Sequence, residues 1–320
     1  MNRPYRIVIT TGDFDGVGAE IASKALDRIG PRKGVQFFVW RSSQIPQRDL
    51  KRFSRNFNVH KVLSWPQALQ ESDGNSKTLI DIESNMSPAL WIEHSAQAGL
   101  FGHIDAIVTG PLSKTEIRNA QLKDRGHTDI LRRICEKDLF MSFVGDEFST
   151  ILLTDHCAIS DVEPLITKPN LKQAIQHALH LHDLLPKKFA KRAIGVLGLN
   201  PHAGEDGIIG TTEKEIHLPV VKTFSKSKVP VVGPLIPDVA YQAQERDKYS
   251  VFIANYHDQG LIPFKSIHKR HSGAHITLGL PFVRTSVDHG TAKDLFGKNK
   301  ADYSSMVEAL NWALKLIKKV

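Results

Sequence analysis

With 320 residues, 41% apolar and 24% charged, the chain has a globular composition that excludes the disordered and fibrous classes, and its length predicts about two domains. A net charge of +8 raises nucleic-acid binding, but the basic runs lack interleaved aromatics; those at Lys187, Lys188, Lys191 and Arg192 and at Lys315, Lys318 and Lys319 read as solvated faces. No stretch reaches the roughly 18 apolar residues of a membrane span, and the opening MNRPYRIVITTGDF lacks signal-peptide anatomy, so a cytoplasmic protein with no nucleic-acid or membrane partner is expected.

Short β-rich runs at residues 6–11, 35–40, 104–109, 149–154, 194–199, 251–254 and 275–278 alternate with helical patterns at 18–29, 128–135, 171–185, 213–224 and 304–319. That alternation is the signature of an α/β fold with mostly parallel strands. The last helical pattern places Met306, Val307, Leu310, Ala313, Leu314 and Ile317 on one stripe, which must pack inward. Residues 71–77 read as a flexible polar loop, and no linker marks a domain boundary. Cys135 and Cys157 are expected as free thiols.

Several strands end in polar loops, and in open α/β sheets ligands bind beyond the carboxyl ends of strands. His156, His202 and His257 each follow an apolar β run, and three imidazoles suit a divalent cation with one position left open. Spacing alone leaves these three as either ligands or satisfied loop histidines. Asp155, Glu205, Asp206 and Asp258 accompany them, able to orient the rings or to move protons, with Asp206 read as a loop cap. His177, His180 and His182 ride one helical stretch and are expected at its solvent margin.

The first loop, Gly12-Asp13-Phe14-Asp15-Gly16-Val17-Gly18, is neither a dinucleotide fingerprint nor a Walker sequence. Better anion candidates are Lys265, beside Lys269 and Arg270, together with Arg284, His127 with Thr128, and Ser113 with Lys114.

Five segments in order, Val108–Lys114, Gly126–Asp129, Leu199–Glu205, Tyr256–Leu261 and Ile276–Ala292, closely resemble the 4-hydroxythreonine-4-phosphate dehydrogenase family. The resemblance implies an α/β fold of the isocitrate/isopropylmalate dehydrogenase type, two α/β lobes around a central cleft, with residues 1–125 plus 285–320 in one lobe and 126–284 in the other. It implies a homodimer whose metal site (Zn, Mg, Mn or Co) is shared across the interface, with His156, His202 and His257 as ligands. His127, Thr128, Lys265, His275 and Arg284 fall at its substrate-contacting positions. Asp238, Asp258 and Lys265 fall at catalytic ones, either aspartate serving as proton acceptor. Asp288, His289, Gly290, Thr291 and Ala292 resemble the loop that cradles the adenosine of NAD, with NADP left open. The implied reaction is NAD-dependent oxidation of 4-phosphohydroxy-L-threonine to a β-keto acid that decarboxylates to 3-amino-2-oxopropyl phosphate.

Departures from the family pattern bear on the substrate. Phe14, Asp15 and Ala19 replace Pro, Ala and Pro of the family's first loop, and Asp15 is expected to repel an anionic group if it faces the cleft. His275 stands where an asparagine is usual. The alternative is therefore a paralogue oxidising a phosphorylated four-carbon sugar acid, phospho-threonate or phospho-erythronate. A nucleic-acid binder and an acyl transferase are the readings from other classes.

Overall fold

The computed structural model describes residues 3–268 and 273–318, so Lys269, Arg270 and Lys319 of the basic runs lie outside the described residues. Two compact units divide the chain, Met1–Leu139 with Ala274–Val320 as unit 1 and Phe140–Gly273 as unit 2.

Unit 1 begins with β1 (Tyr5–Thr10), β2 (Val35–Arg41), β3 (Asn58–Val62), β4 (Thr78–Glu83) and β5 (Ala106–Thr109). Unit 2 holds β6 (Phe140–Val144), β7 (Ser149–Leu152), β8 (Ala193–Leu197), β9 (Val231–Leu235) and β10 (Tyr249–Ala254), after which β11 (Ala274–Leu278) and β12 (Val283–Ser286) return to unit 1. The order in unit 1 is β3-β4-β2-β1-β5-β12-β11, every pair parallel except β12 with β11. In unit 2 it is β6-β7-β10-β8-β9, with only β6 and β7 antiparallel.

Strand β2, VQFFVWR, is buried at every position, as expected of a parallel strand covered on both faces. The helix Gly18–Ile29 buries Ile21, Ala22, Ala25, Leu26 and Ile29 at helical spacing and stops at Gly30, whose φ of 66° suits glycine. In the core of unit 1, Trp40 and Trp91 stack with ring centroids 6.1 Å apart. Unit 2 is centred on Phe148 and Phe252, edge to face at 5.4 Å.

Several local expectations change. Strand β3 was not expected, because it is an edge strand with only Val62 buried and so lacks an apolar run. Residues 71–77 are fastened rather than loose: Asp73 accepts from Gln36 Nε2 and Thr78 Oγ1, both at 2.8 Å. The pattern at 213–224 splits into a π-helical turn, Glu213–His217, and the helix Leu218–Thr223; Pro219 has no amide hydrogen to close an α turn onto Glu215. His182 is buried, its Nδ1 2.7 Å from Ser250 Oγ, because its helix face turns toward β10 rather than toward solvent. Cys135 and Cys157 are both free, and burial pushes the Cys135 thiol up to about 11. Among the described residues no helix is long and apolar enough to cross a membrane.

Candidate active site

In unit 2, β7, β10 and β8 are neighbours and run parallel, so their carboxyl ends rise side by side. His156, His257 and His202 follow those three ends. The rings of His156 and His257 have centroids 5.5 Å apart. Two imidazoles on one tetrahedral cation would place their centres about 5 Å apart, so the pair fits such an ion. His257 does not lie in a loop, as the sequence suggested, but opens the helix His257–Ile267. Its Nδ1 stands 2.7 Å from Asp258 Oδ1, which leaves Nε2 for a ligand. The neighbouring Asp155 accepts the His156 amide at 2.6 Å.

His202 is presented differently. Residues His202 to Asp206 all have φ between 45° and 81°, one left-handed turn in which only Gly204 is a glycine. Left-handed residues other than glycine cost about 1–2 kcal/mol each, so this turn persists only under restraint. Glu213 supplies it: buried in the π turn, its carboxylate accepts from Asn200 N at 2.7 Å and from Asn200 Nδ2 at 3.0 Å. Although burial opposes ionisation, these bonds hold Glu213 below the usual carboxylate range. A cavity of about 720 Å³ opens beside the turn, lined by His202, Glu205, Asp206 and Lys214 among others. Among the described residues of one chain, no three His, Cys, Asp or Glu form a group able to hold a metal. The third histidine therefore does not join the other two within a single copy. Lys265 and Asp238 are both exposed.

Unit 1 contains a buried polar cluster of opposite character. Arg284 on β12 is 1% exposed and has no carboxylate partner among the described residues. Its Nη1 donates to His275 Nδ1 at 3.2 Å and to Thr277 Oγ1 at 2.9 Å, and Nη2 donates to Thr109 Oγ1 at 2.8 Å. Burial pulls its pKa down to about 9, a measure of how poorly the charge is solvated. Beside it His127 opens the helix His127–Cys135, whose N-cap, Gly126, offers no side-chain acceptor. Burial first, and the Arg284 charge second, push His127 down to about 3, so the ring is neutral. It hydrogen-bonds the Gly110 backbone, and its Nε2 is buried without a partner among the described residues. A desolvated guanidinium and free helix-start amides are the elements of an anion site. Thr128 is buried at the same helix start, while Ser113 instead caps the helix Lys114–Asn119 and Lys114 is exposed.

The segment from Asp288 to Ala292 is pinned at both ends. Asp288 exchanges hydrogen bonds with Ser305 Oγ at 2.6 and 3.1 Å, and the Thr291 carbonyl accepts the Val17 amide at 3.0 Å. His289 Nδ1 donates to the Gly290 carbonyl at 2.9 Å, and Ala292 is left-handed with φ 43°. The first loop is tight because a Cβ on Gly18 would lie 1.5 Å from the Thr11 oxygen. Asp15 is not a bare anion here: Lys293 Nζ reaches Asp15 at 2.8 Å and Asp13 at 3.3 Å, and Asp15 raises the Lys293 pKa most. Thr109, Thr277 and Lys293 fall within segments legible in the sequence, and Glu213 within a helical pattern, but their parts here were not, because each acquires its role from a partner on another element.

The solved structure of isocitrate dehydrogenase from Methylococcus capsulatus matches at a TM-score of 0.55 and 11% identity, covering 98% of this chain and 86% of that one. The chain thus has the α/β fold of the isocitrate/isopropylmalate dehydrogenase type. A family model described as "Pyridoxal phosphate biosynthetic protein PdxA" matches residues 39–313. A 4-hydroxythreonine-4-phosphate dehydrogenase from Sulfurihydrogenibium sp. (strain YO3AOP1) is 33% identical over 98% of this chain and 99% of its own length. The crystal structure of 4-hydroxythreonine-4-phosphate dehydrogenase from Klebsiella pneumoniae matches at a TM-score of 0.74 and 27% identity, over 99% of both chains. The chain belongs to the PdxA family.

Proposed function

We propose that this chain is an oxidoreductase that, with NAD and one divalent cation, converts 4-phosphohydroxy-L-threonine to a β-keto acid that loses carbon dioxide to give 3-amino-2-oxopropyl phosphate. The observation that carries the reading is the His156 and His257 pair, 5.5 Å apart, with one ring steered by Asp258. When bound, the cation supplies Lewis acidity at the substrate hydroxyl and the dinucleotide supplies the hydride acceptor. His156 and His257 would hold the cation with His202 of a second copy, which accords with the lack of a three-residue group among the described residues of one chain. Ile208, 82% exposed beside the His202 turn, is the kind of apolar surface a homodimer covers.

The chain's own groups divide the remaining work. Arg284 and the amides starting the helix His127–Cys135 bind an anionic group of the substrate. Neutral His127 keeps Nε2 as an acceptor for a substrate O–H or N–H. Exposed Lys265 meets the other anionic group. Asp258 is engaged by His257, so Asp238 is assigned the proton of the oxidised alcohol. The pinned segment Asp288, His289, Gly290, Thr291 and Ala292 would hold the adenosine end of the dinucleotide.

Neutralisation of Asp15 by Lys293 removes the repulsion that argued for a different substrate. The test follows NADH formation with 4-phosphohydroxy-L-threonine, phospho-threonate and phospho-erythronate, with and without a chelator. Activity on the first alone, lost on chelation and restored by Zn²⁺, Mg²⁺, Mn²⁺ or Co²⁺, supports the reading. Turnover that survives thorough metal removal defeats it.

A further inference from the structure

The three strand ends that carry the histidines are tied together by one buried amide. Asn255, 1% exposed, follows β10, the strand between β7 and β8. Its carbonyl oxygen accepts from Thr154 N at 3.1 Å and Thr154 Oγ1 at 2.7 Å, two residues before His156. Its Nδ2 donates to the Leu197 oxygen at 2.9 Å, where β8 ends on the way to His202, and to Gln259 Oε1 at 3.2 Å. Its own amide donates to Gln259 Oε1 at 2.7 Å, and Gln259 Nε2 donates to the Gly198 oxygen at 2.8 Å. The His217 Nε2–H completes the set, donating to Asn255 Oδ1 at 2.8 Å. His217 sits on the same π turn as Glu213, whose carboxylate clamps Asn200 at the base of the left-handed turn.

Every donor and acceptor of Asn255 is thus engaged. A fully satisfied buried network is rigid, and supporting bonds of this kind fix where ligands sit. We infer that Asn255 is a positioning residue that fixes the His156 and His257 segments at one cation and, through Leu197, the His202 segment that reaches the second copy's cation, and thereby governs affinity for the divalent cation. It rests on the metal reading above, and Asn255 itself touches neither cation nor substrate. Its carbonyl bonds survive any substitution, whereas the side-chain bonds to Leu197, Gln259 and His217 do not. Asn255→Asp keeps the shape but sets an acceptor against the Leu197 and Gln259 oxygens.

The test titrates Co²⁺ and Zn²⁺ into the metal-free full-length protein, reading Co²⁺ absorption for ligand geometry and circular dichroism for the fold. Asn255→Asp is expected to bind Co²⁺ about 10- to 100-fold more weakly, with an altered spectrum and unchanged circular dichroism. Gln259→Glu, at a half-buried residue, removes the bond to Gly198 and is expected to weaken binding about fivefold. A folded Asn255→Asp protein with wild-type affinity and spectrum overturns the inference and leaves the metal reading standing. Should Asn255→Asp not fold, unchanged affinity in Gln259→Glu overturns it equally. If the wild type binds neither ion, or His257→Ala binds as well as wild type, the metal reading itself fails and takes the inference with it.

Discussion

Asp258 Oδ1 lies 2.7 Å from His257 Nδ1, which gives this carboxylate a partner and His257 a fixed orientation. The two aspartates considered as proton acceptors are therefore unequal, and substitution separates them. Asp258→Asn is expected to weaken divalent-cation binding about 10- to 100-fold. Asp238→Asn is expected to leave that affinity unchanged and to lower kcat about 10²- to 10⁴-fold. Isothermal titration and steady-state kinetics on both variants check the assignment; a drop in kcat confined to Asp258→Asn reverses it.

Arg284 holds a buried charge that meets no carboxylate among the described residues, so its removal has opposite effects on stability and binding. Arg284→Met is expected to be neutral or to raise Tm by about 2 °C, because an unpaired charge leaves the interior. The same change is expected to lower kcat/KM about 10²-fold or more. Inorganic phosphate is expected to raise the Tm of wild type and not of the variant. A large loss of Tm without phosphate would mean that Arg284 serves the fold instead.

His127 titrates far below an ordinary histidine, at about 3, because burial and the Arg284 charge oppose protonation. A depressed folded pKa means the unfolded chain binds the extra proton between about 6.5 and 3. The stabilising contribution is complete above pH 6.5 and is lost progressively as pH falls toward 3. Urea unfolding across that range is expected to fall less steeply in His127→Gln than in wild type. An NMR titration showing His127 protonated at pH 6 would contradict this.

Lys293 joins Asp15 of the first loop across 278 positions of sequence. The pair is exposed, so a double-mutant cycle on Lys293→Met and Asp15→Ala is expected to give a coupling of about 0.5–1 kcal/mol that shrinks in high salt. Lys293→Met alone is expected to raise KM for the dinucleotide about tenfold, since it frees two carboxylates beside the pinned segment. Equal KM values for the variant and wild type would detach this strap from cofactor binding.

The sequence disclosed what is local or periodic. The helix Gly18–Ile29 follows from its apolar spacing and from Gly30, and β10 from an unbroken apolar run. Strand β3 was hidden because its side chains face water, and His182 because helical position does not reveal which face meets β10. Of the site residues, those next to strand ends were legible as candidates. Their partners were not: Thr109 reaches Arg284 from 175 residues away, and Asn255 meets Leu197 from 58. Such pairings exist only once the strands are ordered in space.

The left-handed turn at His202 sets a conflict for anyone hardening this enzyme against heat. Glycine at Ala203 or Glu205 would relieve backbone strain, and a screen for thermal tolerance would favour it. The same relief would let the imidazole wander among orientations. On the proposed reading, in which His202 holds the cation, variants selected for endurance at these positions should be slower catalysts, and the poorer their hold on it, the greater the deficit.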